Sequence, residues 1–226
     1  MAMQKRSMFS ILTLMVSFIM ASCSGGGDGS IVEVKAGSPQ EVESISKTTS
    51  LLQIDTVASL VNWIGNKPGG SHTGTLKLQS GYLEYADQQL VGGRIVFNMS
   101  SIANTDISDS ESRIRLETHL KSPDFFNTVR FATSDLVITK VNFSDSNKSG
   151  ECIVSGNLTI KGITKGIVFS SRVEVSGGQV TAHVGPISIN RTDWGVNYGS
   201  KSIFDNLKDK FIDDNIEITV VLKTVK

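Results

Sequence analysis

Histidine and cysteine are the side chains through which this chain could do metal, acid–base or thiol chemistry. It has few of them: His72, His119, His183, Cys23 and Cys152 in 226 residues. No two of the histidines stand three or four positions apart, the spacing that puts two ligands on one helix face. No G-x-S-x-G elbow and no glycine-rich phosphate loop before a helix occurs. A hydrolase assembled from scattered Ser, His and Asp stays open as an alternative, but these residues point to no catalytic group, no cofactor and no metal. What they offer is polar recognition. His72, in HTGTLKL, and His119, in HLKSPDFF, are candidates to hold the polar end of a ligand, as are Arg191 and Asp193 in INRTDWG. Asp124 and Asp193 also suit turns, where a carboxylate accepts from backbone amides, and Arg191 suits an ion pair that locks a lid.

The two cysteines have different surroundings. Lys5 and Arg6 precede an apolar stretch from Met8 to Ala21, which is 14 residues long. A bilayer span needs about 20, so residues 1–22 have the layout of a secretory signal. Met20-Ala21-Ser22-Cys23 resembles a bacterial lipobox with Met in place of the usual Leu, which makes Cys23 the expected lipidation site. Cys152 is then unpaired, and no disulfide is expected. It falls on the same strand face as Val154, Leu158 and Ile160 and reads as a small buried hydrophobe. Residues 23–50 are rich in Gly and Ser without sustained periodicity and read as a flexible tether. The expected setting is therefore the cell envelope of a bacterium, with the protein lipid-anchored to a membrane.

Residues 51–226 are long enough for one domain with a sizeable core. The chain carries 22 basic and 22 acidic residues, and so lacks the basic surface that nucleic-acid binding uses. Period-two alternation dominates. Ile95, Phe97 and Met99 share one face, Ile167, Phe169, Ser171 and Val173 another, and Ile216, Ile218, Val220 and Leu222 a third. About eight such runs are separated by short turns, among them Gly92-Gly93 and Gly177-Gly178. The pattern predicts an antiparallel all-β protein, either an open sandwich or a closed barrel. His183 is out of phase with Val180, Ala182 and Val184 and is expected to face solvent.

One segment breaks the period. Asp109 to Leu120 begins with Asp and Ser, carries Glu111 in its first turn and is stopped by Pro123, which predicts a helix. Ile114, Leu116 and Leu120 give it a narrow apolar stripe, as for a lid packed on a sheet. Phe125 and Phe126 follow. Adjacent strand residues face opposite ways, so a non-strand turn is needed for both rings to point inward.

Taken together, HLKSPDFFNTVRFATS, GNLTIKGITKGIVFSSRVEV and ISINRTDWGVNYG, in that order, resemble the YceI-like family of exported, polyisoprenoid-binding proteins. The opening IDTVASLVNWIG and the closing IEITVVLKTV extend the resemblance over about residues 53–225. The family often has Pro where Gly166 stands and Phe where Trp194 stands, and many members carry a His near Val57 to Ser59 that is lacking here. The resemblance implies an extended eight-stranded antiparallel lipocalin-like barrel with one short helical segment. It also implies binding, and carriage or storage, of a long linear apolar lipid of the isoprenoid quinone or polyprenyl phosphate type. The inward positions expected to line its tunnel are Val61, Trp63, Leu76, Leu78, Ile95, Phe97 and Met99 on the first half. Val154, Leu158, Ile160, Phe169, Val173, Val184, Ile218 and Val220 complete the set, with Gly74 and Gly156 adding no bulk. A structural or partner-binding module with a filled interior is the other alternative. No oligomeric state is implied.

Overall fold

A computed structural model describes residues 31–42, 49–144 and 150–226. Cys23, the signal segment and part of the expected tether lie outside the described residues. Eight strands close into an antiparallel barrel: β3 (Leu60–Lys67), β4 (Gly70–Ala86), β5 (Gln89–Asn104), β6 (Thr133–Phe143), β7 (Glu151–Ile160), β8 (Ile163–Ser176), β9 (Gln179–Asn190) and β10 (Asn215–Lys223). Each pairs with the next, and β10 returns to β3, with Val220 opposite Val61. Closure leaves few edges, and the inward set of every strand meets one shared interior. Two further strands lie outside the ring: β1 (Val32–Val34) and β2 (Ser50–Gln53), the latter paired to β4.

The strands are longer than the alternation alone marks out. Gly92 and Gly93 are not a turn but lie within β5, opposite Glu84 and Leu83. There a side chain on Gly93 would come within 2.6 Å of the Tyr82 carbonyl oxygen, so glycine lets the two backbones close up. The true turn is Asp87-Gln88, both with positive φ. Gly177-Gly178 does turn the chain between β8 and β9. Register shifts in β4 after Thr75, Leu78 and Glu84 reset which residues face inward, which is how Leu83 joins Leu76 inside.

The helix α1 (Ser110–Lys121) starts where the sequence predicts it, its N-cap Asp109 accepting from the Ser112 amide at 2.8 Å. It lies over one end of the barrel as a lid, and Glu117 reaches down to accept from the Asn104 amide at 2.8 Å. Ile114, expected in the apolar stripe, is instead exposed. Leu116 and Leu120 do the inward packing with His119.

The ring has one seam. β9 pairs with β8 only as far as Val184, opposite Ser171. Two residues later comes Pro186, which has no N–H to donate to a ladder. The halves of β8 and β9 beyond that point separate, and β1 lies between them. β1 pairs in parallel with Ile187 to Ile189. Gly37 then exchanges backbone hydrogen bonds with Gly166 on β8, at 2.8 and 3.1 Å. The Gln40 amide donates to the Asn157 side-chain oxygen, whose own NH2 group donates back to the Gln40 carbonyl, each at 2.8 Å. Thr139 donates to the Gln40 side chain at 3.1 Å. The expectation of a free tether over residues 23–50 is thus corrected for residues 32–40, which are docked.

Candidate functional site

The interior of the ring is hollow. A cavity of about 330 Å³ runs under α1, at the lower end of the roughly 300–1,000 Å³ typical of ligand sites. Of the residues expected on its wall, Val61, Trp63, Leu76, Ile95, Phe97, Met99, Val154, Leu158, Ile160, Phe169, Val184, Ile218 and Val220 line it. Leu78 and Val173 do not. Both are buried, at 6% and 7% exposure, but they pack into the core instead of onto the open space. Alternation gives the face of a residue and not its depth along the barrel, and depth is what separates these two from their neighbours.

Gly74 plays a different part from leaving a gap. A side chain there would meet the Trp63 ring at 2.3 Å and the Ala103 carbonyl oxygen at 2.0 Å. The indole therefore lies against the bare backbone at Gly74, and its N–H donates to the Thr75 carbonyl at 3.2 Å. Gly156 likewise makes room for Leu136.

The turn after α1 brings both phenylalanines of HLKSPDFF to the cavity. Phe125 is 4% exposed, and its ring centroid lies 5.2 Å from that of Phe126, edge to face. His119 stacks edge-on against Tyr198 at 4.4 Å and Phe125 at 5.9 Å. These rings make the ceiling, and Asp124 points away from it, exposed.

Polar groups on the wall gather mainly at this end. His72 lines the cavity mouth together with Asn66, Lys67 and Asp213. The Lys67 ammonium lies 3.0 Å from His72 Nε2, and His72 Nδ1 lies 2.9 Å from Asp106 Oδ2. Since an ammonium can only donate, Nε2 accepts and the proton sits on Nδ1, which donates to the carboxylate. Asp106 also accepts from the Thr73 amide at 2.7 Å and from the Asn104 side chain. Desolvation pushes its carboxyl up, but these hydrogen bonds outweigh it and hold the group down at about 2. Sequence reading misses Lys67 and Asp106, because one ends β3 beside a hairpin turn and the other lies 34 positions from His72.

Arg191 also lines the cavity but is already engaged. It is 2% exposed, and its guanidinium donates to the carbonyls of Asp213 at 3.1 Å, Ile212 at 3.0 Å and Val196. Asp214 stands 3.7 Å away, and the Phe125 ring faces the cation at 5.4 Å. Desolvation lowers its pKa, with Asp214 and Asp213 opposing. The expected lock is therefore chiefly a cage of backbone carbonyls that ties the 191–214 crossing over the mouth. Asp193 stands off the cavity, and the turn-capping role expected of it belongs to Asn190, which accepts from the Thr192 amide at 3.0 Å. The outlying residues fall as expected: Cys152 is buried, its thiol pushed up to about 11 by desolvation, and His183 is opposite Arg172 on the outer face.

A model of the YceI-like domain matches residues 52–224. Among curated relatives, UPF0312 protein Shewmr4_1178 of Shewanella sp. (strain MR-4) is 29% identical over 98 residues, covering 41% of this chain and 49% of that protein. UPF0312 protein SAS2572 of Staphylococcus aureus (strain MSSA476) is 38% identical over 88 residues, 36% of this chain and 47% of the relative. The chain thus spans about half the length of the curated relatives it matches. Two solved structures share the fold at 16% identity and a TM-score of 0.59. One is BcnA of Burkholderia cenocepacia, matched over 76% of this chain and 99% of that one. The other is a polyisoprenoid binding domain from Saccharophagus degradans implicated in plant cell wall breakdown, over 78% and 98%.

Proposed function

The chain belongs to the YceI-like domain family, and from that premise we propose that its barrel binds a linear apolar lipid for carriage or storage. The carrying observation is an apolar cavity of about 330 Å³ inside a closed ring, with its charged residues at one mouth. Removing hydrocarbon from water supplies about 25 cal/mol per Å², and a narrow linear hydrocarbon tail asks for no polar partner. The polyisoprenoid binding of the Saccharophagus degradans domain supports an isoprenoid, of the quinone or polyprenyl phosphate type. In this reading the tail lies along Trp63, Phe97, Phe169 and Ile218, and the head meets Lys67, which offers donors and is held by His72, and Asp213, which offers an acceptor. His119 seals the ceiling by stacking. Native mass spectrometry of the protein purified from its host should show a bound lipid. A protein that emerges empty and also takes up no added farnesol would overturn the reading.

The envelope location rests on the sequence alone: the lipobox-like Met20 to Cys23 supports a lipid anchor at Cys23. Metabolic labelling with a fatty-acid analogue should mark the wild type and not Cys23→Ala, and equal labelling of the two would refute the anchor.

A further inference from the structure

The seam between β8 and β9 opens directly onto the cavity. Ile167 and Phe169 on one side and Ile187 and Ile189 on the other are wall residues. β9 residues 185–190 have no β8 partner, a gap of about 20 Å at 3.3 Å per residue. Among the described residues the segment 31–40 covers it, and that segment lies outside the residues matched by the domain model. Its inner face is committed, since Val34 is 3% exposed and belongs to the same core cluster as Ile167, Ile187 and Ile189. Its hold is short, however. The ring strands pair antiparallel over six or more residues each, whereas β1 pairs over three, in parallel, with one bridge and the Gln40 hydrogen bonds to Asn157 and Thr139 beyond. Parallel pairing is the weaker kind, and local opening starts where paired backbone and buried contacts are fewest. The piece of the sheet held by the shortest pairing is therefore the piece that covers a lengthwise slot.

We propose that residues 31–40 are a displaceable panel over the seam in the barrel, and that an apolar chain enters and leaves sideways through the slot beneath it. The proposal rests on the lipid-binding reading of the barrel. Side entry lets a tail slide in lengthwise, without threading past the rings of His119, Phe125 and Tyr198 at the mouth. Gly166 is the hinge of the fit. A side chain there would come within 2.3 Å of the Ser38 carbonyl oxygen, so the panel lies flat only over glycine.

The test is stopped-flow fluorescence of N-phenyl-1-naphthylamine binding to the full chain carrying Cys23→Ser, with hydrogen exchange measured in parallel. Gly166→Val blocks docking of the panel from the barrel side. Gln40→Ala removes its side-chain anchor and touches no wall residue, which keeps the test open should Gly166→Val fold poorly. In both variants the amides of residues 37 and 166, which pair the panel with β8, should lose protection. Association and dissociation of the probe should each speed up by about tenfold, the scale of one or two lost hydrogen bonds, with little change in Kd. Unchanged rates in a variant whose amides have lost protection would overturn the side entrance, leaving the panel as a brace. Amides that stay protected in both variants would overturn displaceability. A wild type that binds no probe would sink the lipid-binding reading, and the entrance with it.

Discussion

Three side chains at or beside the mouth, Arg191, Asp106 and Lys67, do different work, and their chemistry separates them. Arg191 is consumed by three backbone carbonyls, so removing it leaves buried acceptors without donors. Arg191→Met should cost about 3–5 kcal/mol, the scale of breaking a buried charged network, and Arg191→Lys should not rescue it, because a single ammonium cannot reproduce the fork. Urea unfolding of the two variants checks both statements. Asp106 is held below its ordinary 3.8, at about 2. A carboxyl depressed in the folded state contributes stability that is fully present above the unfolded value and is lost as pH falls through the folded one. The stability gap between wild type and Asp106→Asn should therefore be constant above about pH 5 and shrink toward pH 2. A gap that instead grew with acid would contradict the hydrogen-bonded carboxylate. Lys67 carries no such structural duty beyond its contact with His72. Lys67→Met should weaken binding of a lipid with a polar head more than that of a bare hydrocarbon, and leave the melting temperature nearly unmoved.

At the scale of elements, sequence spoke clearly wherever one physical rule governed. Alternation gave the strands, and Asp109, Glu111 and Pro123 gave the helix and its ends. The side-by-side Phe125 and Phe126 gave the non-strand corner whose rings reach the cavity. It spoke poorly where two rules competed. Gly92-Gly93 looks like a turn because glycine favours turns, yet close backbone approach inside β5 needs glycine at Gly93 just as much. Register shifts in β4 move Leu83 inward out of phase with Leu76, which no fixed period can foresee. The docked strand β1 was hidden because three residues in a Gly- and Ser-rich stretch carry no periodic signal. Pro186 was the available clue that β9 has a bare edge needing cover. The corner after α1 is a test of the same logic. Phe125→Ala should cost about 3–5 kcal/mol as a buried aromatic truncation, and Phe126→Ala, at a half-buried position, should cost less. Thermal melts of the pair would show whether the inner ring carries the lid.

For the molecule as a whole, the closed ring turns a set of ordinary amphipathic strands into a container. Ring closure places every inward face on one axis, and the moderate size of residues such as Val61, Ala182 and Val184 leaves that axis open. The central claim is that the ligand lies inside, and filling the inside is its most direct test. Ala182 lines the cavity on β9, and Ala182→Phe projects a ring into the space without touching the mouth. Titrated with farnesol and followed by native mass spectrometry, the wild type should form a one-to-one adduct, whereas Ala182→Phe, folded by circular dichroism, should form little or none. Equal adducts from both proteins would mean that the lipid sits elsewhere than in the barrel.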